Sequence, residues 1–253
     1  MTDEEKHLTD ESRRKFLKNS GYFAGGLVGG GILGSVIGWQ IDDPNQNQTQ
    51  DNPNNQDSKP DYNQALKFFQ NQEEFELISA AAERIFPEDE NGPGAIGLGV
   101  AYFIDHELAG DYGNNEKMYM HGPFKEGTAY QGFQSRLKRK EIFREGMKAI
   151  ERESQGSFDD SFVNLDAEQQ DEILQKFAND KVKMRGAMPS TFFSLLKEST
   201  LAGAFADPLY GGNLNMDGWR MKEFPGSQMS YLNEIESEEF VQIEPQSLYK
   251  HLH

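Results

Sequence analysis

The amino-acid sequence predicts a mainly α-helical fold, with one helical domain and long loops rich in glycine, proline and aromatic residues. Several segments place apolar residues three or four positions apart, the spacing that puts them on one face of a helix. Few segments alternate apolar and polar residues with the period of two that is typical of strands. The 253-residue chain contains 18 Phe, nine Tyr and nine Met, which supply enough apolar volume for a single core.

Two helices are predicted in the first half of the domain. The first is indicated by apolar residues at Phe75, Ile78, Ala82 and Ile85. It ends at Phe86-Pro87, because proline cannot continue a helix. The second is predicted from Ile96 to Leu108, and Gly110 ends it.

Three further helices are predicted in the second half. Residues 135–153 interleave apolar and charged side chains, the pattern of an amphipathic helix. Asp166 and Gln169 form a capping-box pattern ahead of an apolar run and mark a second helix start. Pro189 opens a third helix, which runs to Phe205.

The N-terminus carries two adjacent arginines in the run Ser12-Arg13-Arg14-Lys15-Phe16-Leu17-Lys18, followed by an uncharged, glycine-rich run to Ile41. This combination is typical of a twin-arginine signal, which a receptor reads. The export-signal residues are Arg13, Arg14, Phe16 and Leu17. The sequence therefore predicts export by the twin-arginine translocase, to the periplasm or the outer face of the cytoplasmic membrane. The alternative is a chance arginine pair beside an ordinary membrane anchor.

Composition divides the chain into four predicted parts. Residues 1–41 are a twin-arginine signal or an N-terminal membrane anchor, since Gly21–Ile41 has about the ~20 residues that span a bilayer. Residues 42–63 form a disordered linker, because 17 of the 20 residues from Asp42 to Asp61 are Asp, Asn, Gln or Pro. Residues 64–229 form the helical domain, and residues 230–253 an acidic C-terminal tail. Cleavage of the signal and its retention as an anchor both remain open, with retention favoured.

Charge and cysteine content exclude several classes of function. The formal net charge of −17 repels nucleic-acid phosphates and anionic lipids, so no nucleic-acid partner is predicted. The chain has no cysteine, which excludes disulfides, thiol catalysis and covalent attachment of haem c within it. An electron-carrying centre would therefore lie on another chain.

Two kinds of candidate site can be weighed from the residues. Glycines 29, 31 and 34 and glycines 92, 94 and 97 match the spacing of a dinucleotide-binding loop. The first set lies in the export signal, and the second follows a helix and an acidic loop, so neither predicts nucleotide binding. Asp105, His106, Glu107 and His121 are types of residue that bind metals, but consecutive residues fan around a helix. A solvated helix face is the favoured interpretation of Asp105 to Glu107.

The most distinctive segment of the domain runs from Asp207 to Gly226. It combines glycine pairs, prolines and aromatic rings, which indicate a structured loop that is either locked onto the core or used as an interface. Rings in glycine-rich loops are favoured anchors of protein interfaces. The candidate partner-binding residues are Tyr210, Trp219 and Phe224.

A series of short motifs follows one order from about Phe75 to Gly226. They are Arg84-Ile85-Phe86-Pro87, Gly92-Pro93-Gly94-Ala95, Phe103-Ile104-Asp105, Leu108-Ala109-Gly110-Asp111-Tyr112-Gly113, Gly122-Pro123-Phe124, Gln131-Gly132, Phe192-Phe193, Asp207-Pro208-Leu209-Tyr210-Gly211-Gly212-Asn213 and Gly218-Trp219. Together they resemble the gluconate 2-dehydrogenase subunit 3 family, whose members also carry a twin-arginine leader.

The resemblance implies the small subunit of a membrane-associated flavin dehydrogenase that oxidises sugars, sugar acids or related polyols. It implies a large partner subunit of the glucose–methanol–choline type that carries FAD. In many such systems a third subunit with haem c passes electrons to the respiratory chain. The small subunit is implied to assemble with the large one, to carry it through export on its own signal and to stabilise it outside. No catalytic, cofactor-binding or metal-binding residue is implied in this chain.

Two other functions remain open from the sequence. One is a membrane-tethered binding or scaffold protein of the cell envelope. The other is a stand-alone enzyme with an active site around Asp105, His106 and Asp207.

Overall fold

The computed structural model of the protein describes residues 65–125, 134–232, 234–239 and 241–251. In these ranges the chain forms seven α-helices and no strand. The α-helices are α1 (Gln72–Ile85), α2 (Val100–Ala109), α3 (Asp111–Asn114), α4 (Arg139–Phe158), α5 (Ala167–Ala178), α6 (Pro189–Phe205) and α7 (Asp217–Arg220). Short 3-10 helices cover Phe162–Asn164, Pro208–Tyr210, Leu214–Met216 and Leu248–His251. The prediction of a mainly helical domain with long loops is confirmed.

Local sequence explains where two of the predicted helices begin. Asp166 accepts a hydrogen bond from the backbone N–H of Gln169, and the Gln169 side chain accepts one from the N–H of Asp166. This reciprocal pair satisfies two N–H groups that lack partners inside α5. Pro189 is the first residue of α6, where its missing N–H and its preset φ suit a helix start. Both predicted starts are confirmed.

The start of α2 differs from the prediction, because the helix begins at Val100 and not at Ile96. Residues 95–99 form turns, and Gly99 has the left-handed φ of 67°. Glu83, on α1, accepts hydrogen bonds from the backbone N–H groups of Glu88 and Ile96, at 2.9 and 2.8 Å. This contact fixes the turn between α1 and α2 from outside it. The predicted end at Gly110 is confirmed.

Helix α6 lies at the centre of the bundle, where it contacts α1, α2, α4 and α5. The ring of Phe192 on this helix is fully buried. It meets the rings of Phe143 and Phe177 edge to face, with centroids 5.4 and 5.6 Å away. Such aromatic pairs add stability beyond the area that they bury. The C-terminal end of α6 leads directly into the glycine-rich segment.

Several sequence predictions fall outside the described residues. These are the export signal and span in residues 1–41, the linker in residues 42–63 and the Gln131-Gly132 motif. None of the helices in the described ranges is long and apolar enough to cross a membrane.

Candidate partner-binding site

The segment from residue 206 to residue 226, called the site loop below, begins at a buried carboxylate. Asp207 is 9% exposed and lies two residues after Phe205, the last residue of α6. Its Oδ1 accepts a hydrogen bond from the backbone N–H of Leu209 at 2.9 Å, which caps the first 3-10 turn of the loop. An aspartate before proline suits this position, because proline presets φ and the carboxylate binds the free N–H that follows.

The same carboxylate binds the C-terminal end of the chain. Its Oδ1 accepts a hydrogen bond from the Ser247 hydroxyl at 2.5 Å, and its Oδ2 accepts one from the backbone N–H of Leu248 at 2.8 Å. Asp207 therefore joins two segments that lie forty residues apart in sequence.

Asn213 fixes the middle of the site loop. The residue is fully buried and has a left-handed backbone, with φ of 49° and ψ of 47°. Its Nδ2 donates to the carbonyl oxygen of Ala206, and its Oδ1 accepts from the N–H of Gly218, both at 2.8 Å. Asparagine suits this position because it tolerates left-handed backbone and carries both a donor and an acceptor. One side chain thus connects the two ends of the turn.

Two glycines allow the site loop to lie directly on the end of α6. A Cβ atom at Gly212 would lie 2.3 Å from the carbonyl oxygen of Gly203. A Cβ atom at Gly218 would lie 2.0 Å from the carbonyl oxygen of Ala204. No larger residue fits at either position without movement of the backbone, so the glycines are required by close packing.

The three predicted interface rings have different surroundings. Trp219 is only 6% exposed, and its indole Nε1 donates to the carbonyl oxygen of Phe205 at 2.8 Å. Phe224 is 47% exposed and meets the Trp219 ring edge to face, with centroids 5.3 Å apart. Tyr210 is 51% exposed. Tyr210 and Phe224 are therefore available to a partner, while Trp219 supports Phe224 from below.

A cavity of about 390 Å³ opens between Phe205, Trp219, Lys222 and Phe224. The Lys222 ammonium lies 5.1 Å from the centroid of the Phe205 ring, within the range of a cation–π interaction. The cavity therefore offers an apolar floor with one positive charge at its edge. These features suit an apolar side chain of a protein partner.

The prediction of a solvated helix face for Asp105, His106 and Glu107 is wrong for Asp105. This side chain is fully buried, and its carboxylate accepts hydrogen bonds from the backbone N–H groups of Lys67, Phe68 and Phe69 at 2.6, 2.9 and 2.8 Å. The burial is tolerated because fixed N–H donors replace water around the charge. His106 Nε2 lies 3.1 Å from the carbonyl oxygen of Ala65.

Partial burial raises the pKa of Glu107, which lies two residues after Asp105 in sequence. The negative charge of Asp111 raises it further, and His106 opposes the shift. A carboxylate in this position is therefore less stable in its charged form than it is in water.

Within the described ranges, the other candidate ligand residues do not come together as a binding site. There, no group of three or more His, Cys, Asp or Glu side chains could hold a metal ion. His121 is exposed, with its ring 5.5 Å from the ring of Tyr119. The N–H groups beside the second glycine motif, at Glu88 and Ile96, bind the carboxylate of Glu83, where a nucleotide-binding loop would bind phosphate.

A family model described as gluconate 2-dehydrogenase subunit 3 matches residues 72–226, which is more than half of the chain. The chain belongs to the gluconate 2-dehydrogenase subunit 3 family. No curated protein and no solved structure matches the sequence. As a member of this family, the chain is an accessory subunit of a larger dehydrogenase complex.

The limits of the family match agree with the architecture. The match begins at the first residue of α1 and ends at Gly226, the last residue of the site loop. The part of the chain shared with the family is thus the helical bundle together with the site loop. The segment after Gly226 lies beyond the match.

The structural roles of Asp105, Asp207 and Asn213 are not evident from the sequence. A local signal exists for Asp207, because an aspartate before Pro208 at the end of a helix is typical of a cap. The position of Asn213 after two glycines likewise favours a left-handed turn residue. No local pattern could identify Asp105, since the N–H groups that it binds come from residues 67–69.

Proposed function

We propose that this chain is the non-catalytic small subunit of an exported, membrane-associated, FAD-dependent dehydrogenase. The family match over residues 72–226 carries the proposal. In it, the FAD sits on a large subunit of the glucose–methanol–choline type, which oxidises a sugar, a sugar acid or a related polyol. In many complexes of this type a further subunit with haem c takes the electrons onward.

The chemistry of the buried carboxylates supports a non-catalytic role. Asp105 is fully buried, so substrate cannot reach it, and its oxygens already accept three backbone hydrogen bonds. Asp207 accepts three hydrogen bonds from Leu209, Ser247 and Leu248. A general base needs a free lone pair within reach of a substrate proton. Both residues serve the fold, which argues against the stand-alone enzyme centred on Asp105, His106 and Asp207.

The site loop supplies the surface for assembly in this proposal. Its backbone is fixed by Asn213 and by close packing on α6, so binding through Tyr210 and Phe224 requires little ordering of the backbone. Exposed rings on a rigid base are typical anchors of protein interfaces. Trp219 keeps the ring of Phe224 in place through their edge-to-face contact.

Export and location complete the proposal. The chain carries the twin-arginine residues Arg13, Arg14, Phe16 and Leu17, and the flavoprotein partner crosses the membrane with it through the twin-arginine translocase. Residues 21–41 then attach the complex to the outer face of the cytoplasmic membrane or are removed in the periplasm.

The test is affinity purification of the tagged full chain from detergent-solubilised membranes of its host. The expected product is a yellow complex with flavin absorbance and a co-purifying chain whose mass fits a flavoprotein. An untagged strain taken through the same steps is the control. A colourless, solitary chain would contradict the proposal and favour a scaffold protein of the envelope.

A further inference from the structure

Residues 228–245, called the C-terminal loop below, expose an unusual density of apolar side chains. Met229, Leu232 and Ile235 are 78, 77 and 75% exposed, and Tyr231 and Val241 are exposed as well. Single exposed apolar residues are ordinary on protein surfaces, whereas a dense set of them marks a site of interaction. This segment lies beyond the family match, which ends at Gly226.

Hydrogen bonds close the C-terminal loop at its base. The N–H of Ser227 donates to the carbonyl oxygen of Gln246 at 2.7 Å, and the N–H of Gln246 donates to the carbonyl oxygen of Pro225 at 3.1 Å. Asp207 binds Ser247 and Leu248 next to this closure. The ends of the loop are thus attached to the site loop, so the apolar side chains project from a fixed base.

The loop is also strongly acidic. It contains Glu234, Glu236, Glu238, Glu239 and Glu244, and the sequence has no Lys or Arg between Lys222 and Lys250. Glu244 lies 3.6 Å from Arg220, and the other four carboxylates have no cationic neighbour within the loop. The partner that suits this loop therefore has an apolar groove bordered by lysine or arginine.

Charge argues against three other binding partners of the C-terminal loop, namely a second copy of this chain, anionic lipid and nucleic acid. A second copy of this chain also carries a net charge of −17, so two copies repel each other. Anionic lipid and nucleic acid repel the glutamates in the same way. A protein subunit with a groove bordered by basic residues is therefore the partner that suits the C-terminal loop.

The C-terminal loop adjoins the site loop. A cavity of about 260 Å³ is lined by Phe224 and Pro225 from the site loop and by Val241, Ile243 and Glu244 from the C-terminal loop. Phe224 also lines the cavity above Trp219. One surface thus extends from the part of the chain shared with the family into the segment beyond it.

We propose that the C-terminal loop is a second docking element for the flavin-bearing large subunit, and that it inserts Leu232 and Ile235 into an apolar groove bordered by basic residues. This inference rests on the proposed function, because the occupant is the partner proposed there. It makes the loop a determinant of partner choice that this chain adds to the surface of the site loop.

The test compares variants of the full tagged chain in the purification described above. Leu232→Ser with Ile235→Ser removes apolar contact, and Glu236→Lys with Glu238→Lys and Glu239→Lys reverses the charge. We expect each set to speed dissociation of the flavoprotein about tenfold or more, measured as flavin retained during a timed wash. Because the charge reversal leaves every apolar side chain in place, it tests docking independently of the serine pair.

Matched controls use exposed residues outside both loops. Ile96→Ser with Leu201→Ser removes comparable apolar side chains, and Glu90→Lys with Glu116→Lys and Glu198→Lys makes the same charge change. Both control variants should retain as much flavin as the wild type does. Thermal melting should give all four sets the wild-type Tm, since the substituted residues are at the surface.

The outcomes separate the two proposals. A yellow wild-type complex that both loop variants retain equally well would overturn the docking role and leave the proposed function intact. A colourless wild type would overturn both. Loop-dependent binding to vesicles of phosphatidylcholine with phosphatidylglycerol, or loop-dependent self-association, would overturn the docking role by identifying a membrane or a second copy as the occupant.

Discussion

The carboxylate of Asp105, in helix α2, accepts a hydrogen bond from the backbone N–H of Phe68 at 2.9 Å, across 37 positions of sequence. Lys67 and Phe69 donate to the same carboxylate. The segment that leads into α1 is therefore attached to α2 by one buried charge.

Replacing this carboxylate with an amide should destabilise the domain. In Asp105→Asn, the new NH₂ group cannot accept the N–H groups that now point at Asp105, so at least one of the three donors loses its partner inside or at the edge of the core. We expect a loss of about 2–4 kcal/mol in the free energy of unfolding, measured by urea denaturation. The same change at the exposed Asp159, which has a φ of 56° that asparagine tolerates, should stay within about 0.5 kcal/mol of the wild type. Equal effects at both positions would contradict the role of Asp105.

Arg84 and Asp171 form a two-pronged ion pair between α1 and α5. Arg84 Nε lies 2.7 Å from Asp171 Oδ1, and Nη2 lies 2.9 Å from Oδ2. Lysine cannot reproduce this geometry, so Arg84→Lys should lower the free energy of unfolding by about 1–2 kcal/mol. A double-mutant cycle with Asp171→Asn should give a coupling energy of similar size. A coupling near zero would mean that solvent screens the pair.

The features that the sequence predicts well are those with local causes. The starts of α5 and α6 follow from Asp166 with Gln169 and from Pro189, whose partners lie within one turn. The start of α2 was predicted too early, because the turn before it is fixed by Glu83, thirteen residues before Ile96. The spacing of apolar residues carries no information about a contact between a side chain and a backbone group thirteen residues away.

The same limit applies to the candidate site. Glycines beside aromatic rings predicted a structured loop, but they do not indicate which way each ring faces. Trp219 is buried and its indole N–H reaches the carbonyl oxygen of Phe205, whereas Phe224 meets that indole edge to face and stays half-exposed. The contact of Asp207 with Ser247 joins distant segments and was likewise beyond prediction.

Stability should depend on pH through Glu107. Burial and the charge of Asp111 raise the pKa of Glu107, so the folded state binds this proton more tightly than the unfolded state does. The resulting destabilisation is absent at a pH below the pKa of Glu107 in the unfolded chain. It is complete at a pH above the pKa of Glu107 in the folded chain. Glu107→Gln should therefore raise Tm at neutral pH, and the gain should vanish as the pH falls below about 4. Glu116→Gln, at an exposed position, is the control, and a gain that persists in acid would contradict this account.

The rings of the site loop should separate into two classes. Trp219→Ala removes a buried ring and its hydrogen bond and should lower the free energy of unfolding by about 3–5 kcal/mol. Tyr210→Ala and Phe224→Ala remove half-exposed rings and should weaken retention of the flavoprotein with much smaller changes in Tm. Thermal melting and flavin recovery from the same preparations distinguish the classes. If Tyr210→Ala and Phe224→Ala lowered Tm as strongly as they lowered flavin recovery, these rings would serve the fold and not the interface.

The shared export signal can be tested with the paired substitution Arg13→Lys and Arg14→Lys. Lysine keeps both charges but lacks the planar, multiply donating guanidinium that a receptor can read. We expect both this chain and the flavoprotein of the proposed function to accumulate in the cytoplasm, because in that proposal the flavoprotein crosses the membrane bound to this subunit. Cell fractionation with flavin and mass readouts measures this, and Lys6→Arg, which leaves the pair intact, should export normally. Normal export of the flavoprotein beside a trapped small subunit would show that the partner has a route of its own.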